Sequence, residues 1–160
     1  MNHSGIFLTA RRAEDVFDLV ADPQRFARLL PDFESIAIQD PTHFTLRIKI
    51  VVGQIHGHVS LAMELREAAR PGHVEYRGQG IVAGSQLTFA MQFHIGSRPD
   101  TTEVIWQGEV TIDGMLAFMA GSTIDELGRR NLDMMAEQLQ NKLREETATD
   151  AVSLEPGSVT

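Results

Sequence analysis

The chain contains no cysteine among its 160 residues. Without thiols it can form neither a disulfide framework nor a thiolate metal site, and it has no cysteine nucleophile. A protein without disulfides suits a reducing compartment, so we expect a cytoplasmic location.

Positive charge is scarce, because 14 Lys and Arg residues face 22 Asp and Glu residues and the formal net charge is −8. Nucleic acids and anionic lipid surfaces are bound by clustered Lys and Arg. The pairs Arg11–Arg12 and Arg129–Arg130 are too small for such a surface. We therefore expect no nucleic-acid partner.

Long hydrophobic runs are also missing, and the apolar patch near the N-terminus covers only Gly5 to Leu8. A membrane-spanning helix needs about 20 apolar residues, and a signal peptide needs an apolar region of about 7–15 residues. We expect neither of them, and the sequence leaves peripheral contact with a membrane open.

The first part of the chain predicts two short helices, at residues 15–21 and 23–30. Asp22 is a good helix cap, and Pro23 suits the first helical position. Pro31 then ends the second helix.

Residues from 31 to about 112 alternate between apolar and polar side chains, as strands do. In HFTLRIKIV, Phe44, Leu46, Ile48 and Ile50 share one face. The same inward phase is predicted for Val59, Leu61 and Met63, for Leu87, Phe89, Met91, Phe93 and Ile95, and for Val104, Trp106, Val110 and Ile112. Pro- and Gly-containing turns separate the runs, which indicates a meander of hairpins.

A helical pattern follows Asp113-Gly114, with Phe118, Met119, Leu132, Met135, Leu139 and Leu143 at steps of three and four residues. It predicts a long helix to about Glu146. The polar, aperiodic end predicts a disordered tail at 147–160, so the folded domain is expected over 1–146.

Three stretches resemble the G-subunit family of carbon monoxide dehydrogenase: ADPQRFARLLPDFESI at 21–36, IKIVVGQIHGHVSLAMEL at 48–65 and TEVIWQGEVTIDGMLAFMAGSTI at 102–124. The resemblance covers roughly residues 5–145. One departure is Pro31-Asp32, where that family commonly has Pro-Gly.

The resemblance implies the α+β helix-grip fold of the START-like (SRPBCC) superfamily. In that fold a curved antiparallel sheet, here of about six or seven strands, wraps around a long C-terminal helix, and two short helices follow the first strand. It also implies service to a molybdenum-containing hydroxylase, as a maturation or membrane-association factor or as a carrier of a lipid or quinone.

Catalytic and metal-binding signals are weak. His56 and His58 lie two apart and could share an ion, but strand parity places them opposite Val59 and Leu61, on the outer face. Gly78, Gly80 and Gly84 lie within or beside a strand, which favours sheet curvature over a phosphate loop. We assign no catalytic residue, no metal and no cofactor.

Asp125 is an unusual residue on the helix face that should meet the sheet. It could be a general base, or it could lie at the margin of that face and pair with Arg129. Tyr76 and Trp106 could orient a ligand, or they could be core aromatics.

Gly121 and Ser122 supply little bulk between Phe118 and Leu132, which predicts a space between helix and sheet. A void of roughly 300 Å³ costs about 7 kcal/mol, so it must be filled or collapse into a solid core. The predicted ligand-binding residues are Phe44, Leu46, Leu61, Met63, Tyr76, Phe89, Met91, Trp106, Phe118, Met119, Ser122 and Asp125.

Our leading hypothesis is a non-catalytic binding or carrier protein for a hydrophobic, lipid- or quinone-like molecule. It could be accessory to a molybdenum-containing carbon monoxide dehydrogenase or a related hydroxylase. The alternatives are a polyketide cyclase or aromatase, with Asp125 and Tyr76 as its acid and base, and a docking module without a ligand.

Overall fold

The computed structural model describes residues 1–52 and 54–159, without the side chains of Val52, Ile55 and residues 146–159. The predicted tail at 147–160 lies outside the residues whose side chains are described. That tail and the domain boundary at 146 therefore stay predictions.

The architecture is one curved antiparallel sheet, and the described strands number seven, as predicted. Their spatial order is β1-β7-β6-β5-β4-β3-β2, so each strand after β2 pairs with the one before it, and β1 pairs with the last. The strands are β1 (Asn2–Thr9), β2 (Phe33–Asp40), β3 (His43–Val52), β4 (Ile55–Ala69), β5 (His73–Val82), β6 (Ser85–Ser97) and β7 (Thr102–Ile112).

Strand alternation decides which side chains face the core. In β3, Phe44 and Leu46 are buried, whereas Arg47 and Lys49 on the other face are exposed. β3 pairs with β4 without a bulge, which brings Phe44 opposite Met63 and Leu46 opposite Leu61. The predicted inward phase is thus confirmed for both strands.

Two short helices, α1 (Ala13–Val20) and α2 (Pro23–Ala27), connect β1 to β2, as predicted. The Asp22 carboxylate accepts a hydrogen bond from the Gln24 N–H at 3.0 Å and so caps α2. The two helices bury Val16, Leu19, Val20 and Phe26 completely or almost completely against the sheet. They fill one end of the concave face.

The long helix α3 (Met115–Val159) packs against the rest of the concave face of the sheet. Leu132, Met135, Leu139 and Leu143 are buried in the main core together with residues of α1 and α2. At Ala120 the backbone leaves the helical conformation, with φ −142° and ψ 24°. This irregularity separates the first turn, Met115 to Met119, from the rest of α3.

α3 is held on the β1 side of the sheet. The His3 Nε2 atom lies 2.7 Å from the Asp133 Oδ1 atom. Leu132 lies over Gly108 of β7, where a side-chain Cβ would come within 2.6 Å of a leucine methyl. The end of Met1 lies over Gly128 in the same way. Away from β1, the start of α3 is attached to the sheet by a hydrogen bond from the Leu116 N–H to the Ser85 hydroxyl.

Candidate functional site

A cavity of about 330 Å³ lies between α3 and the concave face of the sheet. This volume lies within the range of small-molecule sites. Its walls are formed by Leu30, Pro31, Asp32, Ile48, Lys49, Ile50, Val51, Leu61, Val82, Leu87, Phe89, Val110, Ile112, Leu116, Ile124, Leu127, Gly128, Arg130, Asn131 and Leu132.

The cavity separates two apolar clusters. On the inner side, Leu61, Phe89 and Leu132 belong to the main core. On the outer side, Leu116 and Ile124 form a small second cluster with Ile50, Val82 and Ile112. Ile50 and Val82 pack against both clusters, so the cavity lies between two clusters that are in partial contact.

The outer wall is fixed by hydrogen bonds that join the first two residues of β6 to the β7–α3 connection and to the start of α3. The Leu116 N–H donates to the Ser85 hydroxyl at 3.1 Å. Asp113 and Gln86 exchange two bonds, of which the Asp113 N–H donates to the Gln86 carbonyl at 3.0 Å. These hydrogen bonds hold Leu116 in place in the cavity wall.

One border of the cavity is the edge where β2 and β3 part. Their pairing begins at Phe33 and Ile48, and beyond it the Lys49 N–H donates to the Asp32 carbonyl at 3.0 Å. Asp32 has a φ of 62°, a conformation that favours glycine and that Asp tolerates better than most residues. The Pro31-Asp32 departure from the family thus keeps a left-handed turn at this border of the cavity.

Two of the predicted ligand-binding residues, Leu61 and Phe89, line the cavity. The predicted inward phase is also confirmed for Ile48, Ile50, Leu87, Val110 and Ile112, which line it as well. Phe44, Leu46, Met63, Met91 and Trp106 are instead buried among neighbouring side chains of the main core. For these five, a solid core replaces the predicted cavity wall.

Tyr76 is a core aromatic, and its predicted place in the cavity wall is wrong. Its hydroxyl donates to the Val20 carbonyl at 2.7 Å, and its ring stacks on Phe26 with ring centroids 4.1 Å apart. Burial raises the pKa of Tyr76 well above its ordinary value, with the negative charge of Asp22 as a smaller cause. The hydroxyl therefore stays protonated and engaged.

Phe118, Met119, Ser122 and Asp125 do not line the cavity, which corrects their predicted position. Phe118 is 91% exposed and Met119 is 74% exposed. The prediction assumed a straight helix, but the break at Ala120 turns the first turn so that Leu116 points inward instead. Ser122 and Asp125 are exposed, and no ion pair joins Asp125 to Arg129 in the described part of the chain.

Sequence reasoning missed five of the lining residues on α3, namely Leu116, Ile124, Leu127, Arg130 and Asn131. Leu127, Arg130 and Asn131 are spaced as neighbours on one helix face. Such spacing was visible in the sequence, but it could not show that this flank borders a cavity.

His56 and His58 are exposed on the outer face, as strand parity predicted. The His58 Nδ1 atom lies 2.7 Å from the Glu34 carboxylate, which the Arg47 Nε–H also contacts at 3.2 Å. These side chains form a surface ion-pair cluster away from the cavity. In the described residues, no group of three or more His, Asp or Glu side chains is placed to hold a metal ion.

A sequence model of the carbon monoxide dehydrogenase G-subunit (CoxG) family matches residues 5–144. The chain belongs to this family. The match spans all seven strands from β1 residue 5 onward, both short helices and the buried part of α3, which confirms the resemblance predicted from the sequence. No curated protein sequence matches the chain.

Solved structures share the fold at low sequence identity. A conserved protein from Geobacillus kaustophilus has a TM-score of 0.77 at 12% identity, with 91% of this chain and 96% of that chain covered. A START superfamily protein from Mycobacterium smegmatis has a TM-score of 0.66 at 16% identity, with 90% of this chain and 97% of that chain covered. The Zhui aromatase/cyclase from Streptomyces has a TM-score of 0.66 at 14% identity, with 92% of this chain and 95% of that chain covered.

These similarities show that this member of the CoxG family has the START-like helix-grip fold. In the described part of the chain, no helix is both long enough and apolar enough to cross a membrane.

Proposed function

We propose that this protein binds a hydrophobic small molecule in the cavity under α3 and carries it, without catalysing a reaction. The observation that supports the proposal is the lining: apart from Asp32, Lys49, Arg130 and Asn131, every lining residue is apolar or glycine. Such a wall offers an apolar ligand dispersion contacts and removes it from water.

An empty space of this size would be expensive. At about 24 cal/mol per Å³, a fully enclosed void of about 330 Å³ would cost roughly 8 kcal/mol, and this figure is an upper bound for a cavity that is partly open to solvent. Water would find few polar partners on these walls, since a buried water typically makes about two to four hydrogen bonds. An apolar occupant therefore stabilises the protein more than water does.

The contacts favour a carrier over an enzyme. A cyclase-like reaction would need an acid and a base facing the ligand, and the suggested pair was Tyr76 and Asp125. Tyr76 donates to the Val20 carbonyl in the core, and Asp125 is exposed. The likeness to the aromatase/cyclase concerns the fold and brings no reaction with it.

Membership of the family supports a finer proposal. The bound molecule is lipid- or quinone-like, and the partner that receives or supplies it is a molybdenum-containing carbon monoxide dehydrogenase or a related hydroxylase. The predicted cytoplasmic location is compatible with this service.

The test is binding of Nile red, a neutral apolar dye whose fluorescence rises in apolar surroundings. Val82→Phe places a larger side chain in the cavity wall, and we expect it to weaken dye binding at least about tenfold, because space and contacts are lost. Ile81→Phe is the matched control. Ile81 is the neighbour of Val82 in β5, and its side chain is 70% exposed on the other face of the sheet.

Equal dye affinity in wild type and Val82→Phe would contradict the cavity as the binding site. Native mass spectrometry of the purified protein gives a second readout. A co-purifying apolar molecule that Val82→Phe loses and Ile81→Phe keeps is the expected result.

A further inference from the structure

The two edge strands of the sheet, β1 and β2, differ in how they are protected. The pairing of β2 with β3 has two register shifts, one of them between Ile38 and Asp40. Glu34 and Asp40 are exposed acidic side chains of β2. Bulges and charges on an edge strand hinder its pairing with another chain. The β2 edge is therefore protected against the addition of a further strand.

The β1 edge has none of these features. β1 pairs with β7 in one unbroken register, from Asn2 opposite Glu109 to Thr9 opposite Thr102. Its sequence, NHSGIFLT, contains no Lys, Arg, Asp, Glu or Pro, and its histidine is engaged with Asp133 of α3. β1 is thus a regular edge without protecting charges, which is the kind of edge that accepts a further strand.

The hydrogen-bond register shows which backbone groups of β1 face away from the sheet. The Met1 nitrogen donates to the Val110 carbonyl, and the Val110 N–H donates to the Met1 carbonyl, each at 3.0 Å. Along an antiparallel pair, opposed residues alternate between exchanging both bonds and exchanging none. The groups that point to the free edge are therefore the N–H and C=O of Asn2, Ser4, Ile6 and Leu8. The described residues supply no backbone partner for these groups.

The same alternation places apolar side chains on the outer face of this edge. Ile6 is 62% exposed and Leu8 is 59% exposed. Ile105 of β7, directly opposite Ile6, is 38% exposed. α3 packs on the concave side, where His3 contacts Asp133, and so leaves this face uncovered. The outer face beside the free edge therefore presents an apolar patch of the kind that forms the core of an interface.

We infer that β1 pairs antiparallel with β1 of a second copy of this chain, so that the two sheets join into one. A two-fold axis at Ile6 places Ile6 beside its own counterpart and Ser4 beside Leu8 of the other copy. About six backbone hydrogen bonds then cross the axis, because each pair of opposed edge residues exchanges two. Since Ile105 lies directly opposite Ile6, the joined sheets carry a row of isoleucines across the interface.

Charge and symmetry favour a second copy as the occupant of this edge. The formal net charge of −8 opposes the association of two copies in general. The β1 edge avoids much of that repulsion, because β1 carries no acidic side chain and the neighbouring Glu103 is paired with Arg98. Two β2 strands would instead bring Glu34 and Asp40 toward identical charges. A strand of another protein would have to supply a matching apolar row, whereas a second copy supplies it by symmetry.

Sedimentation equilibrium of the full chain, from about 1 µM to about 500 µM, tests this inference, and we expect a monomer–dimer equilibrium. Ile6→Lys places two like charges at the axis and should weaken the dimer at least about tenfold. Ile81→Lys is the matched control, because Ile81 is 70% exposed on β5, a strand that is paired on both sides. It should leave the dimer constant unchanged. Higher salt should strengthen the dimer, since it screens the repulsion between the two negatively charged copies.

Ser4→Pro tests the backbone pairing separately from the side chains. Proline lacks the N–H that Ser4 directs to the free edge, and an edge strand tolerates proline at such a position. The symmetric dimer loses one hydrogen bond from each copy, so we expect it to weaken about tenfold or more. Ser4→Ala keeps the N–H and should dimerise like the wild type.

A monomer over the whole concentration range would overturn the inference, whether or not the edge accepts a strand of another protein. Equal weakening by Ile6→Lys and Ile81→Lys would also overturn it, since the interface would then not depend on the β1 edge. A dimer that Phe118→Ser dissociates and that Ile6→Lys leaves intact would place the interface on the exposed first turn of α3 instead, which again contradicts pairing through β1.

Discussion

Tyr76 shows how one residue can satisfy two interpretations of a sequence. An aromatic ring with a polar tip suits a ligand site, but it suits a core equally well if the tip has a partner. Here the partner is the Val20 carbonyl, and the ring lies between Phe26 and Phe44. The hydroxyl joins α1 to the sheet and is not free to contact a ligand.

We therefore predict that Tyr76→Phe destabilises the protein by about 1–3 kcal/mol, because the buried Val20 carbonyl loses its donor. Urea unfolding followed by circular dichroism measures this change. Affinity for Nile red should remain that of the wild type. Weakened dye binding with unaltered stability would show that Tyr76 belongs to the site after all.

Gly5 has a residue-scale role that only the packing shows. It lies opposite Trp106 on β7, and a Cβ at this position would come within 2.5 Å of the indole ring. We predict that Gly5→Ala destabilises the protein by about 1–3 kcal/mol, because the ring or the strand must shift. The emission of Trp106, the one tryptophan in the sequence, should change as well.

Gly96→Ala is the matched control for this prediction, since nothing lies within 4 Å of a Cβ built there. It should leave both stability and emission close to those of the wild type. A destabilisation by Gly96→Ala as large as that of Gly5→Ala would contradict the packing argument.

At the scale of the element, the β2–β3 hairpin depends on one carboxylate. Asp40 accepts hydrogen bonds from the N–H groups of Thr42 at 2.9 Å and His43 at 2.8 Å. The pKa of Asp40 is lowered from 3.8 to about 2, first by the hydrogen bond from the Thr42 backbone and then by that from the His43 side chain. Such a lowered pKa means that the folded state prefers the charged carboxylate.

The sign of the pH dependence follows from this preference. The contribution of Asp40 is fully present above its unfolded pKa and is lost as the pH falls through the folded value, between roughly pH 4 and pH 2. We predict that the stability gap between wild type and Asp40→Asn is constant above about pH 5 and shrinks across that window. Unfolding measured at several pH values tests this, with Asp100→Asn as the control at another exposed turn, and a gap that grows toward acid would contradict it.

The long helix α3 has two parts with different roles. Leu139 is fully buried in the main core, whereas Phe118 in the first turn is 91% exposed. We predict that Leu139→Ala costs about 2–5 kcal/mol, because it leaves a cavity in a packed core. Phe118→Ala should change the free energy of unfolding by no more than about 0.5 kcal/mol. Urea denaturation of both variants tests the contrast, and a large loss from Phe118→Ala would show that the first turn packs differently.

At the scale of the whole molecule, the cavity links ligand binding to stability. A ligand that binds only the folded state at about one hundred times its Kd adds about 2.7 kcal/mol. For a chain of this size, such a gain raises Tm by roughly 5–10 °C. We predict this rise when Nile red is added to wild type and to Ile81→Phe, and a much smaller rise for Val82→Phe. Calorimetry of the three proteins measures it, and an equal rise in all three would place the dye outside the cavity.

Much of this fold could be predicted from the sequence, because local rules decide much of it. Strand alternation is a short-range property, so the inward phase of Phe44, Leu61 and Phe89 was visible without a structure. The cap formed by Asp22 before Pro23 likewise depends on neighbours in sequence. The resemblance to the family rested on the same segments, and the match over residues 5–144 confirmed it.

The site was predicted less well, because a cavity forms where surfaces that are distant in sequence do not pack fully against each other. A single irregular residue, Ala120, rotated the first turn of α3 and exchanged Phe118 for Leu116 as the inward side chain. Whether an inward residue such as Met91 meets a neighbour or a space depends on how closely α1, α2 and α3 approach the sheet.

The sequence by itself therefore determined the strands, the helices and their apolar faces, which follow from local periodicity. The tertiary structure alone decided where those faces fail to meet, because that depends on the positions of whole helices and on the hydrogen bonds that hold them.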